Sequence, residues 1–239
     1  MTDTPKSGTL YGVGVGPGDP ELLTVKAYRL LQDCSVIAYP SKAKGEKSYA
    51  LEIVEVYVDP KGKTMLPLVF PMTKDESTLQ QHWDQTVRQV YGHLELGLDV
   101  AFVTEGDPML YSTFIHMARL MHDRHPSTPV VSLPGISSVT AAASRLGVAL
   151  AEGDEVVAIV PATTDREAMR HALVSHDCVV FLKVAKVIDL LIALVSELGL
   201  SEKTVVCSMV TSARERIWTT VADLQGASLP YLTLMVVRK

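Results

Sequence analysis

A chain of 239 residues that is 47% hydrophobic and only 21% charged is too apolar to be disordered. Domains usually hold ~100–200 residues, so the length admits one large domain or two small ones, and either buries a real core. The formal charge of −5 argues against a nucleic-acid binder, which carries a basic domain or stripe. Mean hydropathy is +0.20, high enough to raise the question of a membrane. The most apolar stretch, Val179 to Val195, is interrupted by Lys183, Lys186 and Asp189. A spanning helix needs about 20 nearly uninterrupted apolar residues, so no membrane segment is expected. The opening MTDTPKSGTLYGVG has no signal-peptide apolar region. Cys34, Cys178 and Cys207 stand far apart without CxxC spacing, which predicts no zinc site and a reducing, cytoplasmic setting.

Short β-branched runs alternate with longer amphipathic segments. The pattern predicts a strand at Leu10–Val15, a helix at Glu21–Gln32 and a strand at Ser35–Tyr39. Tyr49–Val58 fits both a helix face and strand alternation. A strand follows at Met65–Phe70, a long helix at Glu76–Leu96, a fully apolar strand at Val100–Thr104 and a helix at Thr113–His125. This alternation predicts an α/β layer on a parallel sheet. Three prolines interrupt the pattern in HPSTPVVSLPGISS and mark a domain junction, dividing the chain into 1–128 and 129–239. Beyond it the pattern predicts helices at Ser137–Leu146, Arg166–Ser175 and Ile188–Leu198 and strands at Glu155–Val160 and Cys178–Leu182. Three strand-like runs then follow, at Thr204–Met209, Arg216–Val221 and Leu232–Val237. Strands in succession predict antiparallel pairing and a mixed sheet in the second half.

Three turns carry candidate chemistry. The first is GVGVGPGDPELLT, Gly12 to Thr24. A dinucleotide fingerprint needs glycines at i, i+2 and i+5, but Pro17 or Asp19 falls on the third position. A phosphate loop needs Gly-Lys-Ser/Thr at the helix start, which is lacking. What remains is a strand end where backbone approaches something closely, with Asp19 as N-cap and Pro20 at the first helical position. The plain alternative is a well-made strand–helix turn. The second is EGDPMLYSTF, Glu105 to Phe114, which puts two carboxylates and three hydroxyls at the carboxyl end of an apolar strand, where α/β sheets bind ligands. The third, Pro134 to Ser138, brings hydroxyls and free N–H groups to a helix start.

In this order and spacing the three strings resemble the tetrapyrrole methylase family. VVFLKVAK, Val179 to Lys186, and CSMVTSARERI, Cys207 to Ile217, resemble the family's later segments, so the resemblance runs from about Thr9 to Val237. It implies two α/β domains, an N-terminal parallel sheet and a C-terminal mixed sheet, with the active site in the cleft between them, and a homodimer. It implies S-adenosyl-L-methionine as cofactor, leaving as S-adenosyl-L-homocysteine. By resemblance the cofactor meets Pro17, Glu105, Gly106, Asp107, Leu110, Ser137 and Ser138. On the second domain it meets Lys183 or Val184, then Val210 and Thr211, with Pro230 to Leu232 as the weakest segment. Many relatives carry methionine at the position of Lys183 and glycine at that of Val210. The EGDPM turn, YPSKAKGEKSYALEI and FLKV are most similar to the branch that methylates carbon 20 of precorrin-2 or its cobalt complex, cobalt-factor II, in cobalamin synthesis.

The acceptor in that branch is an electron-rich ring carbon, so positioning supplies much of the rate. Glu105, Asp107 and Tyr111 are candidates for a base that takes the proton the carbon sheds. A polycarboxylate macrocycle on an acidic protein needs placed cations. The candidates are Lys42, Lys44 and Lys47, then Arg214 and Arg216; the alternative for all five is solvated surface. The histidines show no metal-ligand spacing, and any cobalt arrives inside the macrocycle as substrate. The same fold acting on another precorrin ring carbon or a diphthine-type acceptor, a dinucleotide oxidoreductase, and a non-catalytic tetrapyrrole carrier are the rival readings.

Overall fold

The computed structural model describes residues 7–41, 48–70 and 75–239, and among these ten strands and seven α-helices form two units, divided between residues 137 and 138. In the first unit β1 (Leu10–Gly14), β2 (Val36–Ser41), β3 (Thr64–Val69), β4 (Val100–Thr104) and β5 (Val130–Leu133) pair in the order β3-β2-β4-β1-β5. Every pairing is parallel. All five residues of β4 are buried. Successive strand residues face opposite sides, and here each side has its own core. Val100 and Phe102 pack with Leu10, Val36 and Ala38 against α3 (Glu76–Leu94) and α4 (Phe114–Arg124). Ala101 and Val103 pack with Val13 and Ile37 against α1 (Val25–Asp33) and α2 (Tyr49–Val54). Helices therefore cover both faces of the sheet.

The expected helix over Glu21–Gln32 is in fact two pieces. Asp19 accepts the Glu21 N–H at 2.9 Å and caps a short 3-10 turn at Pro20–Leu22. Leu23 is extended, and the Thr24 hydroxyl then accepts the Ala27 N–H at 3.1 Å and starts α1. Tyr49–Val58 resolves into the helix α2, because Ala50, Leu51, Ile53 and Val54 all bury, a helical spacing and not an alternating one. The junction lies later than 128/129. Val130–Leu133 pairs with β1 as the last strand of the first sheet, so the first unit keeps the chain through residue 137.

The second unit holds α5 (Ser138–Leu146), β6 (Val157–Pro161), α6 (Arg166–Ser175), β7 (Cys178–Leu182), α7 (Ile188–Glu197), β8 (Thr204–Ser208), β9 (Arg216–Trp218) and β10 (Thr233–Arg238). Its sheet runs β6-β7-β10-β8-β9 and is mixed. β6 and β7 are parallel; β10 is antiparallel to both β7 and β8. Val179, Phe181, Val206, Met235 and Val237 bury one face of the sheet against Met169 and Leu173 of α6 and Leu191, Leu194 and Val195 of α7. The fold class expected from sequence, a parallel and then a mixed α/β sheet, is the one observed. Among the described residues no helix is long and apolar enough to cross a membrane.

Thr24→Ala is expected to lower unfolding stability by about 1 kcal/mol, and Thr24→Ser to restore most of it, because only the cap hydrogen bond is removed. Denaturant unfolding of the three proteins measures the difference.

Candidate active site

The sheet order places a switch point between β1 and β4. The chain leaves β1 through α1 toward β2, and leaves β4 through α4 toward β5 on the other side of β1. Diverging connections open a crevice at the carboxyl ends of such strands, which is where α/β sheets hold ligands. The glycine turn and the EGDP turn both start there. They are joined to each other: Val15 N–H donates to the Thr104 carbonyl at 3.0 Å, and Gly106 N–H donates to the Gly16 carbonyl at 2.8 Å. The Pro134–Ser138 turn closes on the same point. A methyl placed on Gly135 would lie 2.1 Å from the Gly106 carbonyl oxygen, and one on Gly14 would lie 2.6 Å from the Gly135 nitrogen. Three backbones thus meet where no side chain fits.

Asp107 fastens this junction. One carboxylate oxygen accepts the Gly135 N–H at 3.1 Å and the other the Met109 N–H at 2.8 Å. Both oxygens have work in the turn, which argues for a positioning role over that of a base. Glu105 differs. Burial pushes its carboxyl above the usual range, while its own backbone N–H and that of Ala50, at the start of α2, pull the other way by hydrogen bonding. Tyr111 is 44% exposed and left-handed, with φ of 52°. Thr104 and Ser112 share a hydroxyl hydrogen bond at 3.0 Å. Leu110 and Ser137 are half-buried and Pro17 is buried. The Tyr49 hydroxyl donates to the Pro17 carbonyl at 3.4 Å. Tyr49 was not singled out from sequence, because its segment is ambiguous there and its partner is distant.

The second unit gathers its candidates in the same manner. β7 and β8 both run antiparallel to β10, so their carboxyl ends and the start of β10 share one end of the sheet. Lys183, the Met209–Thr211 turn and Pro230–Leu232 emerge there, and Met209 N–H donates to the Leu232 carbonyl at 2.8 Å. Lys183, Met209 and Thr211 have φ of 61°, 50° and 65°. Left-handed backbone costs a non-glycine residue about 1–3 kcal/mol and collects at functional turns. Val184 and Val210 are buried. Ser138 opens α5 and is half-buried. Arg214 and Arg216 are exposed in the segment after Thr211. Lys42, Lys44 and Lys47 lie outside the described residues.

The large aromatic side chains outside these turns take structural places. His125 stacks on Tyr91 at 3.4 Å, Trp83 packs on Phe70, and Trp218 packs against the core of the second unit. Among the described residues no group of three or more His, Cys, Asp or Glu could hold a metal ion.

The model of the tetrapyrrole (corrin/porphyrin) methylases matches residues 9–225. The chain belongs to this family. A cobalt-precorrin-2 C(20)-methyltransferase of Salmonella typhimurium is 31% identical over 98% of this chain and 97% of its own length. A probable cobalt-precorrin-2 C(20)-methyltransferase of Methanocaldococcus jannaschii is 43% identical over 66% of each chain. Relatives named CobIJ in Mycobacterium tuberculosis are longer, and this chain spans 45% of them. Among solved structures, the cobalt precorrin-4 methyltransferase CbiF aligns over 96% of this chain and 94% of its own, with a TM-score of 0.74 and 24% identity. A uroporphyrin-III C-methyltransferase of Thermus thermophilus, solved in complex with S-adenosylhomocysteine, has a TM-score of 0.68 at 22% identity, covering 97% of this chain and 98% of that one. These two structures share the fold.

Gly135→Ala is expected to destabilise the protein by about 1–3 kcal/mol, because the added methyl meets backbone that cannot move aside cheaply; thermal unfolding reports it. Glu105→Gln tests the buried carboxyl. A folded-state value above the ordinary 4.5 favours the protonated form on folding. That contribution is full below the unfolded value and is lost as pH rises through the folded one. Relative to wild type, Glu105→Gln should therefore gain a few degrees of melting temperature near neutral pH and much less at about pH 4.5. A pH-independent difference would contradict a desolvated carboxyl.

Proposed function

We propose that the chain is an S-adenosylmethionine-dependent C-methyltransferase acting on carbon 20 of precorrin-2 or its cobalt complex in cobalamin synthesis. The carrying observation is the end-to-end match to the C(20)-methyltransferases of Salmonella typhimurium and, at 31% identity over 96% of this chain, of a Sinorhizobium species. The geometry agrees with it. Each unit brings strained or glycine-built turns to the carboxyl ends of its own strands, and these carry the positions that the family resemblance gives to the cofactor. Ser208, buried at the end of β8 directly before the Met209–Thr211 turn, has an Oγ with no hydrogen-bond partner among the described residues, which suits a turn built to meet a polar ligand.

When bound, S-adenosylmethionine supplies an electrophilic methyl on a sulfonium and leaves as S-adenosylhomocysteine. The residues that would hold it are Pro17, Gly106, Asp107, Leu110 and Ser137 of the first unit, and Ser138, Lys183, Val184, Val210 and Thr211 of the second. Their main task is orientation, since a near-attack pose of about 3–3.5 Å accounts for much of the rate of such a displacement. Asp107 contributes by holding the Gly135 and Met109 backbones in register. Glu105 is the stronger candidate to take the proton shed by the ring carbon. Burial has already raised the basicity of its carboxylate toward working pH. Tyr111, exposed six residues further along the same turn segment, is the second candidate.

The macrocycle's carboxylates would be met by Lys42, Lys44 and Lys47 and by Arg214 and Arg216. The reading includes a homodimer in a reducing, cytoplasmic setting. Burial pushes the Cys34 thiol up to about 12 and the Cys207 thiol up to about 11, and such protonated thiols are unreactive.

Incubation with S-adenosylmethionine and precorrin-2, or its cobalt complex, should add one methyl by mass, at carbon 20 by NMR. S-adenosylhomocysteine should raise the melting temperature by mass action and NAD should not. Absence of both effects would overturn the proposal. Lys42→Glu with Lys44→Glu should raise KM for the tetrapyrrole about threefold or more, the scale of one or two exposed ion pairs, and leave KM for S-adenosylmethionine unchanged.

A further inference from the structure

The Met209–Thr211 turn places two residues other than glycine in left-handed backbone within three positions. Thr211 is β-branched, for which a φ of 65° is an outlier that persists only when surrounding contacts hold it. The contacts are visible. Ser212 donates from both its N–H, at 3.0 Å, and its hydroxyl, at 2.8 Å, to the Met209 carbonyl. The Thr211 N–H donates to Glu215 Oε2 at 2.7 Å. The other oxygen, Oε1, receives Arg145 Nε at 2.7 Å. The Glu215 side chain is only 11% exposed, whereas that of Arg145 is 57% exposed. The carboxylate is thus spent inside the turn, and the guanidinium ties it to the last turn of α5. The first residue of α5 is Ser138.

We propose that Glu215, anchored by Arg145, is a positioning residue that keeps Val210 and Thr211 in the backbone form that receives the cofactor. This rests on the S-adenosylmethionine reading above. A charge-assisted bond to a backbone N–H is about twice as strong as a neutral one, and this one acts on the most strained residue of the turn. Glu215 touches neither methyl donor nor acceptor in this scheme. It acts through Thr211, while the Met209 carbonyl is held separately by the two hydrogen bonds it accepts from Ser212.

The test is calorimetric titration of S-adenosylhomocysteine into wild type, Glu215→Gln, Glu215→Leu and Glu215→Leu with Thr211→Gly. Glu215→Leu should bind about tenfold more weakly. Glu215→Gln should stay within about threefold, because its amide oxygen still accepts the Thr211 N–H. Glycine at 211 adopts positive φ without a Cβ clash, so the double variant should recover most of the lost affinity. In steady-state assays Glu215→Leu should raise KM for S-adenosylmethionine more than it lowers kcat. A purely structural role would lower the melting temperature and the active fraction, with no KM–kcat split and no rescue by glycine. Equal binding by wild type and Glu215→Leu, or weakened binding that Thr211→Gly does not recover, overturns the proposal. Absence of binding by wild type itself overturns the cofactor reading beneath it. Should Glu215→Leu fail to fold, Arg145→Met takes its place: loss of the anchor should weaken binding about threefold, and unchanged binding counts against the proposal.

Discussion

The first unit is organised by one steric condition: three backbones must meet at the carboxyl ends of adjacent parallel strands. Gly14, Gly106 and Gly135 approach so closely that a methyl on Gly14 or Gly135 would fall within 2.1–2.7 Å of the neighbouring turns. The turns after β1, β4 and β5 are therefore fixed relative to one another with no side chain between them. A crevice of this kind offers a ligand mostly carbonyls and N–H groups, which are rigid and already oriented. That suits a reaction in which holding two partners in line matters more than acid or base strength.

Three carboxylates around the candidate residues show how burial and partners divide labour among chemically similar groups. Asp107 has both oxygens occupied by backbone donors and serves geometry. Glu215 shares its oxygens between a strained backbone N–H and a guanidinium, and serves conformation. Glu105 is desolvated, with backbone N–H donors that only partly offset the cost of its charge. It is the carboxylate best prepared to exchange a proton.

The second unit reaches a similar end by different means. Where the first uses glycine to bring backbone close, the second holds Lys183, Met209 and Thr211 in left-handed form. Val210, between two of these left-handed residues, is itself buried. Glycine is therefore not the only route to backbone presentation. A β-branched residue serves if a nearby acceptor offsets the strain.

Much of this was legible in the chain itself. Apolar runs such as Val100–Thr104 and Cys178–Leu182 announce buried strands because a fully covered strand leaves no face for polar residues. The three turn motifs stand in the local sequence, and their order and spacing carry the family resemblance; the alternation of predicted strands and helices gives the parallel and mixed character of the two sheets. Local pattern was least reliable where a helix was nucleated twice, at Asp19 and again at Thr24, and where the proline-rich segment around Val130–Leu133 read as the domain junction although it completes the first sheet. Only the tertiary structure decided the strand order that makes β1 and β4 neighbours and so creates the switch point. It alone gave Asp107 a partner 28 residues away and Glu215 one 70 residues away. The physical reason is range. Periodicity and capping act within a few residues and are written in the chain, whereas the role of a carboxylate depends on which distant donor the fold brings to it.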